Sequence, residues 1–201
     1  MSTPKTNMML KRPVILDRSI NKTKNDTVSL ASFSFLFSEI LQYTQKSASN
    51  IEILEKRLAE YGYKVGIRYL ELIVFRDRNL KRETRVLQIL LFINTTLWKT
   101  LFGKAADSLE KGTDSDDEYM ISENEPLLTK FISVPKELSS LNCGAFIAGI
   151  VEAVLDGSGF PAKVTAHSTG NATQLNRTTI LIKFDKSGMD NCFWLIHSNG
   201  A

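Results

Sequence analysis

Cys143, His167 and Glu152 are the residues in this chain with the clearest capacity for chemistry. A thiol at the start of a helix gains acidity, and with a histidine as base it becomes a nucleophile. The competing reading is that Cys143 fills core space beside Ala145 and Phe146, as buried free cysteines generally do. Glu152 stands in an apolar run and is a candidate general base, or else a rim residue paired with a lysine or arginine. His167 and His197 are the only histidines, and no cysteine-histidine cluster has metal-site spacing. Gly157-Ser158-Gly159 closes a helix rather than opening one, so it makes no phosphate loop. Asp114, Asp116 and Asp117 lack the glycine and the distal glutamate of a calcium loop. Arg68 and Glu71 lie within one helical turn and read as a surface ion pair. The residue types therefore give no catalytic constellation, no metal site and no cofactor motif.

The elements that must position these residues are legible from spacing. Leu141 to Asp156 is apolar on nearly every face, which marks a buried helix. It is too short to span a bilayer and carries carboxylates. Gly157 and Gly159 end it and Pro161 prevents its return. Lys163 to His167 then alternates as a strand, and Thr178 to Phe184 offers its partner across the polar loop Thr169 to Asn176. Upstream, Leu30, Phe33, Phe37, Ile40 and Leu41 recur at helical spacing, with Ser29 as a cap. A second helix follows Asn50, with Ile51, Leu54, Leu58 and Tyr61 on one side. Gly62 and Gly66 interrupt it, and apolar spacing resumes through Phe75. Val86 to Phe102 is a strongly apolar helix with Gly103 as its end. Asp107 to Glu125 is acidic and reads as a solvated loop. Within it Tyr119 to Ile121 begins a strand, with Leu127 to Val134 as the expected hairpin partner.

The sum is α+β: a helical layer packed on an antiparallel sheet of about four strands, with one central buried helix. The 201 residues suit one domain, at 28–185. Residues 1–27 read as a flexible basic tail and 186–201 as an atypical C-terminal tail holding the apolar patch Cys192 to Ile196. A net charge of +3 gives no support for nucleic-acid binding. The polar, basic start is not a secretory signal, so the sequons at Asn21, Asn25, Asn94, Asn171 and Asn176 are expected to stay unmodified. Two well-separated cysteines fit free thiols in a reducing compartment.

Longer strings carry a resemblance. Gly62-Tyr-Lys-Val-Gly66-Ile-Arg68-Tyr-Leu-Glu71, Arg82-Glu83-Thr84 and Trp98-Lys-Thr-Leu-Phe-Gly103-Lys-Ala-Ala-Asp107 resemble the small subunits of the transport protein particle (TRAPP), a vesicle-tethering complex. Ile132-Ser-Val-Pro-Lys-Glu137 and Gly159-Phe-Pro-Ala-Lys-Val-Thr-Ala-His167 are similar to the subunit 5 branch of that family. The resemblance implies an α+β structural subunit with no enzymatic activity and no cofactor. It implies pairing with the acylated paralogue, subunit 3, and contact with subunit 2. The assembled particle would tether vesicles between endoplasmic reticulum and Golgi and catalyse exchange on a Rab GTPase. The chain would then be cytoplasmic, held at cis-Golgi and endoplasmic reticulum membranes only through the complex. Family dimers pack through their first two helices, which makes Phe33, Leu36, Phe37, Ile40, Leu54, Leu58 and Tyr61 candidates for a partner interface, with the core as the other reading of Phe33, Phe37, Leu54, Leu58 and Tyr61. Arg78 stands where the acylated paralogue has its cysteine, so the acyl group is expected to be absent. A small-ligand or lipid-binding module and a Cys143 hydrolase are the other two readings. Co-purified fatty acid would favour the former, and loss of activity in a folded Cys143→Ser chain the latter.

Overall fold

Ile51–Arg76 forms one uninterrupted helix of 26 residues, although it contains two glycines. The computed structural model describes residues 29–77, 82–113, 115, 117–135, 138, 140–170 and 176–185. The flanking tails, Arg78 and most of the loop at 169–176 lie outside the described residues. Helix α1 (Leu30–Ser47) precedes α2 (Ile51–Arg76). Asn50 caps α2 by accepting the Ile53 amide at 2.8 Å. Ser29 occupies the corresponding place before α1, but its side chain makes no capping bond, contrary to expectation.

The apolar run after residue 85 is helical throughout. It begins as α3 (Val86–Phe92), is wound as a π-helix over Ile93–Leu97 and continues as α4 (Trp98–Phe102). Gly103 ends it at φ 81°, a left-handed conformation that glycine adopts without a Cβ penalty. Strands β1 (Ser108–Lys111) and β2 (Glu118–Glu123) follow, then α5 (Ala145–Ser158), β3 (Ala162–Ser168) and β4 (Thr178–Phe184). The four strands form one antiparallel sheet in the order β1-β2-β4-β3. This is the expected α+β architecture, with α5 as the buried central helix.

Two expectations are corrected. The hairpin partner of β2 is not Leu127 to Val134 but β1, inside the acidic segment read as a loop. Residues 127–131 instead fold as turns, with Thr129 N–H donating to Pro126 O at 3.2 Å and Ile132 N–H to Thr129 O at 3.1 Å. The acidic side chains do not prevent a strand, because Glu110 points to the outer face while Leu109 packs against the core. Gly62 and Gly66 do not interrupt α2 either. They let α5 lie directly on it. A Cβ on Gly62 would sit 2.0 Å from Phe146 O, and one on Gly149 of α5 would sit 2.0 Å from Ala59 O. Two helices touch backbone to backbone here, which only glycine permits. The core around this crossing joins Leu58, Val151 and Leu155 to Ile180 and Ile182 of the sheet. Phe37 of α1 closes it, edge-on to the Phe146 ring with centroids 5.4 Å apart.

Candidate functional site

The side chains with chemical potential are each engaged structurally. Cys143 is buried, and burial followed by the nearby Glu55 charge pushes its thiol up to about 11. That is the opposite of nucleophile activation. Cys143 lines a recess of about 290 Å³ with Leu41, Leu138 and Leu141, whereas His167 lines a different groove. The two do not form a dyad. His167 is exposed, and its Nε2 lies 2.9 Å from Thr165 Oγ1. Glu152 is half-buried at the edge of β3. Burial raises its carboxyl pKa, the Asp156 charge adds to that, and a hydrogen bond from the Val164 amide and the charge of Lys163 oppose it. Its carboxylate serves the strand edge, and Lys163 is the cation beside it. Arg68 and Glu71 form the expected surface pair at 3.4 Å, both well exposed, so its contribution to stability is small.

Gly157 lies inside α5, and Gly159 terminates it at φ 87°. Arg82 donates to Ser158 O at 3.4 Å, at the carbonyl end of the helix where a cation is favourable. At the other end, Asn142 is buried. Its Oδ1 accepts the Gly144 amide at 2.8 Å, and its own amide donates to Glu55 Oε1 at 2.7 Å. Among the described residues, no three or more histidine, cysteine, aspartate or glutamate side chains gather as a metal site.

One polar constellation was missed in the sequence. The indole Nε1 of buried Trp98 donates to Glu123 Oε2 at 2.6 Å. Lys104 Nζ lies 3.0 Å from the other Glu123 oxygen, and the pairing raises the lysine pKa. Asp107 Oδ2 accepts the Asn124 amide at 2.7 Å. The string from Trp98 to Asp107 thus clamps the end of α4 onto β2, with Gly103 making the turn. Its residues build structure. Nothing local in the sequence marks Glu123 as buried, because it lies within the acidic run Asp107 to Glu125.

The seven candidates for a partner interface fall into three groups. Phe37, Leu54 and Leu58 are buried in the chain's own core and offer no surface, so of the two readings they take the core and are removed from the interface candidates. Phe33, Ile40 and Tyr61 are half-buried against that core. Leu36 is 59% exposed. Tyr43, 65% exposed, was missed and extends the same stripe, since Leu36, Ile40 and Tyr43 recur at four and three residues on α1. On α2, Val65 and Leu72 are seven residues apart and also exposed. The helical layer thus presents more apolar surface than its own core uses.

Comparison with known proteins supplies the family context. The family model described as transport protein particle (TRAPP) component matches residues 33–185. Trafficking protein particle complex subunit 5 of Dictyostelium discoideum is 54% identical over 179 residues, which span 88% of this chain and 96% of that protein. The human protein of the same name is 46% identical, with 88% of this chain and 90% of that one covered. Among solved structures, subunit 3 of the trafficking protein particle complex from Naegleria fowleri, covalently bound to palmitic acid, superposes with a TM-score of 0.67. It is 16% identical, with 78% of this chain and 95% of that one covered, so it speaks to the fold alone.

Proposed function

We propose, from the premise that this chain belongs to the transport protein particle (TRAPP) component family, that it serves as a structural subunit of a vesicle-tethering particle acting between endoplasmic reticulum and Golgi. The observation that carries this reading is the exposed pair Leu36 and Tyr43 on either side of half-buried Ile40, in a chain whose reactive side chains are already engaged in structure. A stable interface buries roughly 1,200–2,000 Å² and places apolar and aromatic side chains at its centre. Two long helices with Leu36, Tyr43, Val65 and Leu72 outward can supply one side of it. In this reading the partner across α1 and α2 is the acylated paralogue, subunit 3, and subunit 2 contacts another face. Among the described residues no helix is long and apolar enough to cross a membrane. Attachment to Golgi and endoplasmic reticulum membranes would then come through the complex.

The chain also has no role in nucleotide chemistry of its own under this proposal. It holds other subunits in the spacing that stabilises a nucleotide-free Rab GTPase, which requires differential affinity for that state. Fluorescent-nucleotide release tests this with the chain alone, with the full particle and with a particle lacking the chain. The expected result is no acceleration by the chain alone and reduced acceleration without it. Release stimulated by the isolated chain would overturn the structural reading.

A further inference from the structure

Among the described residues, β3 is the longer of the two edge strands, seven residues against four for β1, and only one of its edges is paired. Thr169 N–H donates to Arg177 O at 2.9 Å, and Asp185 N–H to Pro161 O at 3.4 Å. Antiparallel ladders alternate bonded and unbonded pairs. With Ala162 opposite Phe184 and Ser168 opposite Thr178, the odd-numbered residues of β3 therefore turn their backbone groups to β4. The even-numbered ones turn theirs away. The Glu152 carboxylate lies near the Val164 amide, which favours its ionised form. No hydrogen bond among the described residues reaches the N–H or C=O of Ala166 or the C=O of Val164 on this edge.

A free edge of this kind usually carries a blocking device. Here Glu152 stands beside the edge, which opens onto a groove of about 1190 Å³ between β3 and α2. Its floor is made of small side chains, Ala59, Ala145 and Ala148, and its α2 rim is of mixed charge, with Glu52, Lys56, Glu60 and Lys64. The outer-face neighbour along the edge is exposed Lys163, with His167 four residues on.

We infer that the free edge of β3 receives an extended segment of another subunit of the particle, added as a fifth strand. This rests on the proposed membership in the particle. Backbone groups pointing outward at a two-residue repeat recognise only extended backbone, so the hydrogen-bonding pattern itself selects the occupant's conformation. Side chains of the added strand alternate. Those turned toward the helices meet the alanine floor and are small or medium apolar residues. Those turned outward lie beside Lys163, where a carboxylate forms a favourable cross-strand pair.

Single-residue amide hydrogen exchange on the full chain, alone and in the reconstituted particle, tests this. Assembly slows exchange of the Ala166 amide by about tenfold or more, while Thr165, already bonded to β4, changes little. An Ala166→Pro chain loses the donor at an edge position that tolerates proline, so it keeps its own stability and is retained in the particle about tenfold less well. A chain that joins the particle while Ala166 exchanges as fast as in isolation overturns the strand addition and leaves the structural-subunit reading standing. Slowed exchange with full retention of Ala166→Pro also overturns it, because the cover is then not backbone. A wild-type chain that never joins the particle overturns both.

Discussion

Replacing Gly62 by alanine tests the helix crossing on which the core depends. In an exposed helix this change stabilises, by about 1 kcal/mol of helix propensity. Here the new Cβ would lie 2.0 Å from Phe146 O and 2.9 Å from the carbonyl carbon. Reaching the 3.4 Å of ordinary contact requires α2 and α5 to part locally by about 1.4 Å. The obstructing atoms are backbone, so no rotamer change relieves them. A gap of 0.5–1 Å already forfeits a quarter to a half of a dispersion well. Overpacking of this kind typically costs about 1–3 kcal/mol. Taking the upper end, because the clash is with a helix backbone, and subtracting the propensity gain leaves a net loss of about 2 kcal/mol. For a domain of this size the melting temperature falls by roughly 4–8 °C. Gly66→Ala, whose Cβ meets Ile150 O and the Ala153 Cβ at 2.7 Å, should lose about half as much. Gly157→Ala on α5 provides the opposite sign, since its Cβ meets only the flexible end of Leu70. Urea titrations of the three variants at constant m measure the order directly. A Gly62→Ala chain as stable as the parent, or more stable, would refute the close crossing.

Glu152→Gln should stabilise the chain at neutral pH. The folded carboxyl has a raised pKa, so folding favours its protonated form and the ionised form costs stability above the unfolded value. The advantage of glutamine should shrink as pH falls through the raised folded pKa and vanish below about 4.5, as melting curves across pH would show. Trp98→Phe leaves buried Glu123 Oε2 without its donor and should cost roughly 2–3 kcal/mol in a urea titration. Pairing it with Glu123→Leu should recover part of that loss. Intact-mass measurement of the chain from cells should find no hydroxylamine-sensitive fatty acyl adduct, because Arg78 has no thiol to acylate.

The parts of the fold that the sequence discloses are those with unbroken local patterns. The apolar run ending at Leu155, followed by Gly159 and Pro161, delimits α5, and the alternation from Lys163 delimits β3. β1 escapes because its single core residue, Leu109, stands between Ser108 and the charged pair Glu110-Lys111, so four residues show no clear alternation. The glycines of α2 read as breaks because a missing side chain looks alike in a loop and at a tight crossing. Only the facing atoms of Phe146 and Ile150 tell them apart. The interface candidates were misdivided for a related reason. Helical spacing shows that Leu36, Phe37 and Ile40 are apolar, but not that the fold turns Phe37 inward and Leu36 outward. Tyr43 lies beyond Leu41, the last residue of the apolar spacing, and its exposure on the same stripe is set by how α1 sits on the core. The clamp of Trp98, Lys104 and Glu123 joins residues 25 positions apart in sequence, beyond any local signal.

Co-purification of α1 variants with the other particle subunits tests the structural-subunit reading most directly. Leu36→Asp combined with Tyr43→Asp places charges on the exposed stripe and spares the core, so circular dichroism and melting should match the parent. Phe37→Asp, by contrast, buries an unpaired charge and should unfold the chain. The expected result is a folded double variant that no longer co-purifies with its neighbours. A folded double variant that co-purifies as fully as the parent would contradict it.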